Sequence, residues 1–195
     1  MTQQDYLIQN LAGFENDSFA KEKFQKLIEE NNIEVFIETG TFLGSTTLLL
    51  SQWCKEVHTI EVNEINYFKA KEALKYTNVK MYLGSSENML NQILPKVKLS
   101  RIGIFADAHW NTYNPLIDEL NTIASSGIKP IFIAIHDFKN PNHPEFGFDT
   151  YNGQDYEWSW IEQYIKNIYG EDGFTIEYNS EATGAKRGII FIYKK

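Results

Sequence analysis

Short apolar, β-branched runs alternate with stretches of helical periodicity along most of the chain. Glu34–Ile37, Val57–Glu61, Val79–Leu83, Ile102–Ala106 and Ile131–Ile135 read as strands. Between them, roughly Ser45–Lys55, Glu64–Tyr76, Ser86–Leu94 and Pro115–Ser126 read as helices. Ile131-Phe132-Ile133-Ala134-Ile135 is apolar at every position, as expected of a strand covered by helices on both faces. Such alternation predicts a doubly wound, mostly parallel α/β sheet. Phe19, Phe24, Leu27 and Ile28 predict a helix over about Asp17–Glu30, so that residues 1–32 form a helical lead.

Beyond Asp137 the pattern breaks. Phe138–Asp155 is polar and aromatic and carries Pro141, Pro144, Gly147 and Gly153, which predicts a long loop over the active site. A helix follows from about Tyr156 to Tyr169. The runs Phe174–Tyr178 and Gly188–Tyr193, separated by the small polar turn Ser180–Lys186, can pair only antiparallel. The sheet is therefore expected to have seven strands with the last reversed, in one domain spanning residues 1–195.

Strand one runs into Glu38-Thr39-Gly40-Thr41-Phe42-Leu43-Gly44-Ser45-Thr46-Thr47. An apolar run ending in an acid, then two glycines and a hydroxyl cluster, reads as a strand, a tight turn and a capped helix start. Such a turn brings backbone N–H groups and a helix N-terminus to one point, a place for the polar part of a cofactor. Glu38 would repel a pyrophosphate there, so a cofactor with a cationic group fits better. Glu61, 21 residues after Gly40, ends the second strand, where this architecture reaches the hydroxyls of an adenosine ribose. An ordinary solvent-facing glutamate is the plain alternative. Gly84-Ser85-Ser86 ends the third strand and can lie beside an adenine ring or simply cap the next helix.

The fourth strand ends in Asp107-Ala108-His109-Trp110-Asn111 and the fifth in His136-Asp137-Phe138. Both aspartates fall at carboxyl ends of neighbouring strands, where open α/β sheets place ligands. Two carboxylates there repel unless a cation or substrate sits between them, and oxygen-rich sites of this kind suit Mg²⁺ or Mn²⁺. His109 could act as a general base, since imidazole titrates near working pH. Against this, His109 and Trp110 could pack under the following helix while Asp107 caps a turn. His58 reads as structural and His143 as exposed. Phe146, Phe148, Tyr151, Tyr156, Trp158 and Trp160 could wall a cleft, with packing an equal alternative for the two tryptophans. Asp149 and Asp155 have no partner assignable from sequence.

Composition narrows the field. At 195 residues and 43% hydrophobic content the chain can fill one core. A net charge of −8 with basic residues scattered or in short pairs such as Lys186-Arg187 argues against a nucleic-acid track. No apolar run approaches a membrane span, and Met1–Asp5 lacks a signal-peptide n-region, so a cytoplasmic protein is expected. Cys54 reads as a buried filler. Exposed aromatics in the first helix or the loop would permit a homodimer.

The glycine motif Glu38–Gly44, Glu61 and the reversed strand Gly188–Tyr193 together resemble the class I S-adenosyl-L-methionine-dependent methyltransferases, with their Rossmann-like sheet. The resemblance implies that Glu38 lies near the methionine end of the cofactor, with Thr39, Gly40, Thr41, Gly44, Ser45, Ser85, Ser86 and Asp107 joining Glu61 around it. A narrower resemblance, on Asp107-Ala108-His109-Trp110 and His136-Asp137-Phe138, is to metal-dependent small-molecule and sugar O-methyltransferases of the macrocin type. It implies Mg²⁺ or Mn²⁺ held by Asp107 and Asp137, with His136 at the position beside them. It also makes His109 the base toward a small-molecule or saccharide hydroxyl. His136 departs from the family pattern, in which a second carboxylate or Asn is common, and Asn111 is a substitute oxygen.

Other classes stay open. A nicotinamide-dependent oxidoreductase would use Glu61 equally well, but the turn reads G-x-x-x-G. A metal-dependent hydrolase built on Asp107, His109, His136 and Asp137 leaves the glycine turn without purpose. The third is a module that binds cofactor or sugar and transfers nothing.

Overall fold

The computed structural model describes residues 13–109 and 112–195. Strands β1 (Val35–Thr39), β2 (Glu56–Glu61), β3 (Val79–Leu83), β4 (Ile102–Ala106), β5 (Phe132–Ile135), β6 (Phe174–Tyr178) and β7 (Ile190–Lys194) form one sheet. Its order is β3-β2-β1-β4-β5-β7-β6. The first five strands are parallel, and β7 runs antiparallel to both β5 and β6. The expected α/β sheet with a reversed last strand is the one observed.

Helices α1 (Ser18–Glu30), α2 (Ser45–Trp53), α3 (Glu64–Ala73), α4 (Ser86–Val97), α5 (Leu116–Ser126) and α6 (Trp158–Tyr169) flank the sheet. Strand side chains alternate between two apolar layers. Phe36, Phe105, Phe132 and Phe191 point to the side covered by Phe24, Leu27 and Ile28 of α1 and Leu50 of α2. Ile37, Ile104, Ile133 and Ile192 point to the side covered by α4, α5 and α6. Both faces being buried explains why these strands read as continuous apolar runs.

The ends of the elements follow local chemistry. Asp17 caps α1, its carboxylate accepting from the N–H groups of Phe19 and Ala20 at 2.9 and 3.1 Å. Asn63 caps α3 in the same way. Helix α4 continues past Leu94 through Pro95 to Val97, because buried Leu94 and Val97 hold its last turn against the core. Strand β1 is two residues longer than its apolar run suggests. Glu38 and Thr39 are polar, yet they pair with Thr59 and Ile60 on one side and Phe105 and Ala106 on the other. The loop Phe138–Asp155 contains a two-stranded hairpin, Thr150–Tyr151 against Gln154–Asp155.

Parallel register aligns the strand ends. Thr39 stands beside Ile60 and Ala106, Glu61 beside Leu83, and Ala106 beside Ile135. The residues that follow each strand therefore meet along one rim.

Phe24 is the centre of the aromatic layer, with ring centroids of Phe14, Phe36, Phe105, Phe132 and Phe191 between 4.7 and 6.2 Å away. Truncation to Phe24→Ala is expected to cost about 3–5 kcal/mol in urea unfolding. A loss under about 1 kcal/mol would mean that α1 does not anchor the sheet.

Candidate active site

The turn after β1 is built on two glycines with left-handed backbone, Gly40 at φ +86° and Gly44 at φ +87°. A Cβ on Gly40 would lie 2.4 Å from the backbone carbonyl oxygen of Asp107. Only glycine lets this turn run against the end of β4. The turn is also tied to β2. The N–H groups of Gly40 and Thr41 donate to the Ile60 carbonyl at 3.0 and 3.1 Å, and Phe42 N–H donates to Glu61 at 2.7 Å. Gly44 N–H donates to Thr41. The sequence suggested bare amides converging on a ligand; instead, these four hold the turn in shape.

Beside the turn lies a cavity of about 560 Å³, within the roughly 300–1,000 Å³ common for ligand pockets. Gly40, Thr41, Ser45, Glu61, Ser85, Ser86, Asp107 and His109 all line it. Glu38, Thr39 and Gly44, also expected at the cofactor, stand behind this wall. The sequence reading missed Glu15, Asn16, Val62, Asn66 and Tyr113, which also line it. Glu15 and Asn16 belong to a left-handed turn ahead of α1, fastened by Phe14 N–H to the Thr46 hydroxyl at 2.9 Å. No spacing in the sequence signals that contact.

Glu61 is buried, and its second oxygen accepts from Asn63 N–H at 2.7 Å. Burial raises its carboxyl, and the amides of Asn63 and Phe42 oppose that shift. Glu61 lines the cavity, and each of its oxygens keeps a lone pair to which a ribose hydroxyl could donate. Ser86 lies on the cavity wall with its hydroxyl buried beside the Glu119 carboxyl.

Glu38 behaves differently from its sequence reading. Its carboxyl accepts from the Thr59 hydroxyl at 2.6 Å and from the Thr47 hydroxyl, and Thr59 is itself 2.6 Å from Thr41 Oγ1. Burial pushes its pKa up to about 8, the two threonines pulling against that and Asp107 and Glu61 adding to it. At neutral pH the group is mostly protonated. Glu38 acts as a hydrogen-bonding strut joining β1, β2 and α2.

At the other end of the rim, acids and histidines from three segments meet. Asp137 adopts φ +55°, uncommon for a non-glycine residue, which turns its side chain toward the end of β4. His109 Nε2 lies 3.2 Å from Asp137 Oδ2 and Nδ1 3.8 Å from Asp149 Oδ2. His136 Nδ1 lies 3.0 Å from Asp107 Oδ1 and 3.3 Å from Asp137 Oδ1. Arg187 joins them, Nε donating to Asp137 Oδ1 and a terminal nitrogen to Asp149 Oδ1. The Asp137 bond raises the pKa of His109, burial opposing it. Burial disfavours the His136 imidazolium, but Asp107 and Asp137 outweigh it and hold the group well above the usual value. Burial likewise opposes ionisation of Asp137, yet His109, His136 and Arg187 keep it far below the usual carboxylate range.

Asp107, His109 and Asp137 offer ligand atoms within 4.8 Å of one another. His136, expected as a metal ligand beside them, faces both aspartates through Nδ1. Asn111, the suggested substitute oxygen, and Trp110 lie outside the described residues. Asp149 and Asp155 do have partners: Arg187 and Tyr151 for the first, Lys139 and Thr150 for the second. His58 is buried between Tyr82 and Glu56, while His143 stacks on Phe146 at 4.7 Å. Trp158 and Trp160 pack against the core, and burial raises the Cys54 thiol to about 12.

No protein-family model matches the sequence, and no curated protein does. Solved structures do share its fold. An O-methyltransferase from Bacillus cereus in complex with SAH superposes with a TM-score of 0.71 at 16% identity, covering 99% of this chain and 90% of that one. The O-methyltransferase TomG from Streptomyces achromogenes, involved in tomaymycin synthesis and solved with SAM, gives 0.66 at 14% identity, covering 90% and 79%. An rRNA methylase from Streptococcus thermophilus gives 0.57 at 16%, covering 89% and 95%. The chain therefore has the class I methyltransferase fold. No described helix is long and apolar enough to cross a membrane.

The protonated state of Glu38 has a measurable consequence. The native state keeps a proton that the unfolded chain releases above its ordinary carboxylate pKa, so this group's stabilisation falls as pH rises toward about 8. Glu38→Gln keeps an acceptor for Thr47 and Thr59 without the titration. Between about pH 5 and about pH 8 its melting temperature should fall several degrees less than that of the wild type. Parallel curves would show that Glu38 is ionised in the fold.

Proposed function

We propose that this protein is an S-adenosyl-L-methionine-dependent methyltransferase that methylates a hydroxyl of a small molecule or saccharide. The observation that carries this reading is the continuity of the site. One cavity is lined both by the glycine turn, Glu61 and Ser86 and by Asp107 and His109. The first set suits a nucleoside with a polar tail. The second offers a base and acids for a hydroxyl. The solved relatives in fold that carry SAM or SAH support the cofactor class. The rRNA methylase of the same fold shows that fold does not choose the acceptor, so the small-molecule assignment rests on the net charge of −8 and the absence of a basic track.

When bound, the cofactor supplies an electrophilic methyl group for in-line displacement, so placement of the acceptor oxygen governs much of the rate. Glu61 fixes the turn that walls the cofactor cavity and presents acceptors to it. His109, 39% exposed at the cavity end, takes the hydroxyl proton on a ring nitrogen. Asp137 at Nε2, with Asp149 3.8 Å from Nδ1, orients that ring and stabilises the imidazolium that results. The hairpin Thr150–Asp155 brings Tyr151 to 6.2 Å from His109, ring to ring, where it can border the acceptor.

The cofactor assignment is tested by calorimetry with S-adenosylhomocysteine and with NAD. Binding of the first alone is expected, and Gly40→Val should abolish it, because its Cβ collides with the Asp107 carbonyl. Preference for NAD would make the protein an oxidoreductase candidate and end this proposal. For the base, the neutral imidazole is the active form. Methyl transfer to an accepted substrate should rise with pH through the raised pKa of His109 and level off above it. His109→Gln should lower kcat by about 10²–10⁴ and remove that limb while leaving S-adenosylhomocysteine affinity intact. An unchanged pH limb would assign the base elsewhere.

A further inference from the structure

We infer that the guanidinium of Arg187 takes the place that a divalent cation would hold at Asp137, so that this acidic site is balanced by the protein itself. The inference rests on the methyltransferase reading only for its meaning in catalysis; the charge arrangement stands on geometry.

Both oxygens of Asp137 already face cationic or donor groups. Oδ1 accepts from Arg187 Nε and faces His136 Nδ1 at 3.3 Å, and Oδ2 faces His109 Nε2 at 3.2 Å. The same guanidinium reaches Asp149 through its other edge, so one permanent cation spans two carboxylates. A metal ion at Asp137 would have to take Oδ2 from His109 and share the carboxylate with an arginine that cannot lose its charge.

The donor set argues the same way. Among the described residues, the three groups close enough to share an ion are Asp107, Asp137 and His109. His109 is also the group placed to take a proton from an acceptor, and its nitrogen cannot be ligand and base at once. With Arg187 as the resident cation, His109 is free for proton transfer and Asp107 for His136.

The surrounding chain is shaped around the guanidinium. Gly147 pairs with Arg187 as an isolated parallel bridge, with Gly147 N–H donating to Lys186 and Gly188 N–H to Gly147, both at 2.8 Å. A Cβ on Gly147 would lie 2.8 Å from Arg187 Nη1 and 3.2 Å from its Cδ. The loop thus carries no side chain where the arginine passes. Asp149 N–H donates to the Asp137 carbonyl at 2.9 Å, bringing the two acids to opposite edges of one cation. Arg187 is therefore a positioning residue: it sets the carboxylate that sets His109.

The test is Mn²⁺ binding, read by the electron paramagnetic resonance of the free ion, alongside calorimetry with S-adenosylhomocysteine. Wild-type protein should bind no Mn²⁺ at millimolar concentration, and chelator should leave S-adenosylhomocysteine affinity unchanged. Arg187→Gln should gain Mn²⁺ affinity by on the order of tenfold or more, and the added change Asp137→Asn should remove the gain. Stoichiometric Mn²⁺ binding by the wild type that is lost in Asp137→Asn would overturn the inference, as would a folded Arg187→Gln that binds none. Should Arg187→Gln fail to fold, the wild-type titration decides alone. Absence of S-adenosylhomocysteine binding would strike the proposed function and leave the Mn²⁺ result to judge the cation.

Discussion

The site depends on one close backbone approach. The turn after β1 passes so near the carbonyl of Asp107 that a single methyl group at Gly40 would overlap it. That contact locks the end of β1 to the end of β4, while the amides of Gly40, Thr41 and Phe42 lock it to β2. Three strand ends become one rigid rim, and rigidity at that point is what lets a cavity keep its shape beside it. The usual picture of a glycine turn offers free amides to a ligand. Here most of those amides hold the turn itself, and the cavity is furnished by side chains from neighbouring loops.

Beneath the rim, polar groups divide into two electrostatic regimes. Glu38 is sealed under the turn, satisfied by threonine hydroxyls and mostly uncharged at neutral pH. A few residues away along the same edge, Asp137 is equally buried yet fully ionised. Burial pushes both carboxyls the same way. Partners decide the difference: hydroxyls cannot repay the cost of burying charge, whereas a guanidinium and two imidazoles can.

Much of the fold was legible in sequence because strands buried on both faces must be apolar throughout and because their spacing leaves room for one helix each. The reversed final strand followed from a link too short for a crossover. The longer β1 was not legible, since Glu38 and Thr39 are polar and only their neighbours on both sides make them strand. At the site, Gly40, Glu61, Ser86, Asp107, His109 and Asp137 could be singled out because each ends or follows a parallel strand. Glu15 and Asn16 could not, because they reach the cavity through a contact with Thr46 that carries no periodicity. Arg187 read as half of a basic pair, and Asp149 as a partnerless loop acid. Each explains the other only once the loop is folded onto β7.

Strand β7 runs against its neighbours, so it starts at the edge where they stop. In a purely parallel sheet, every group delivered to the functional edge comes from the residues after a strand. Reversal of one strand opens a second source, the residues just before it, and Arg187 comes from there. A motif search that looks only downstream of strands will pass over such a residue. In sheets with this topology, the short stretch leading into the reversed strand belongs in any inventory of the active edge.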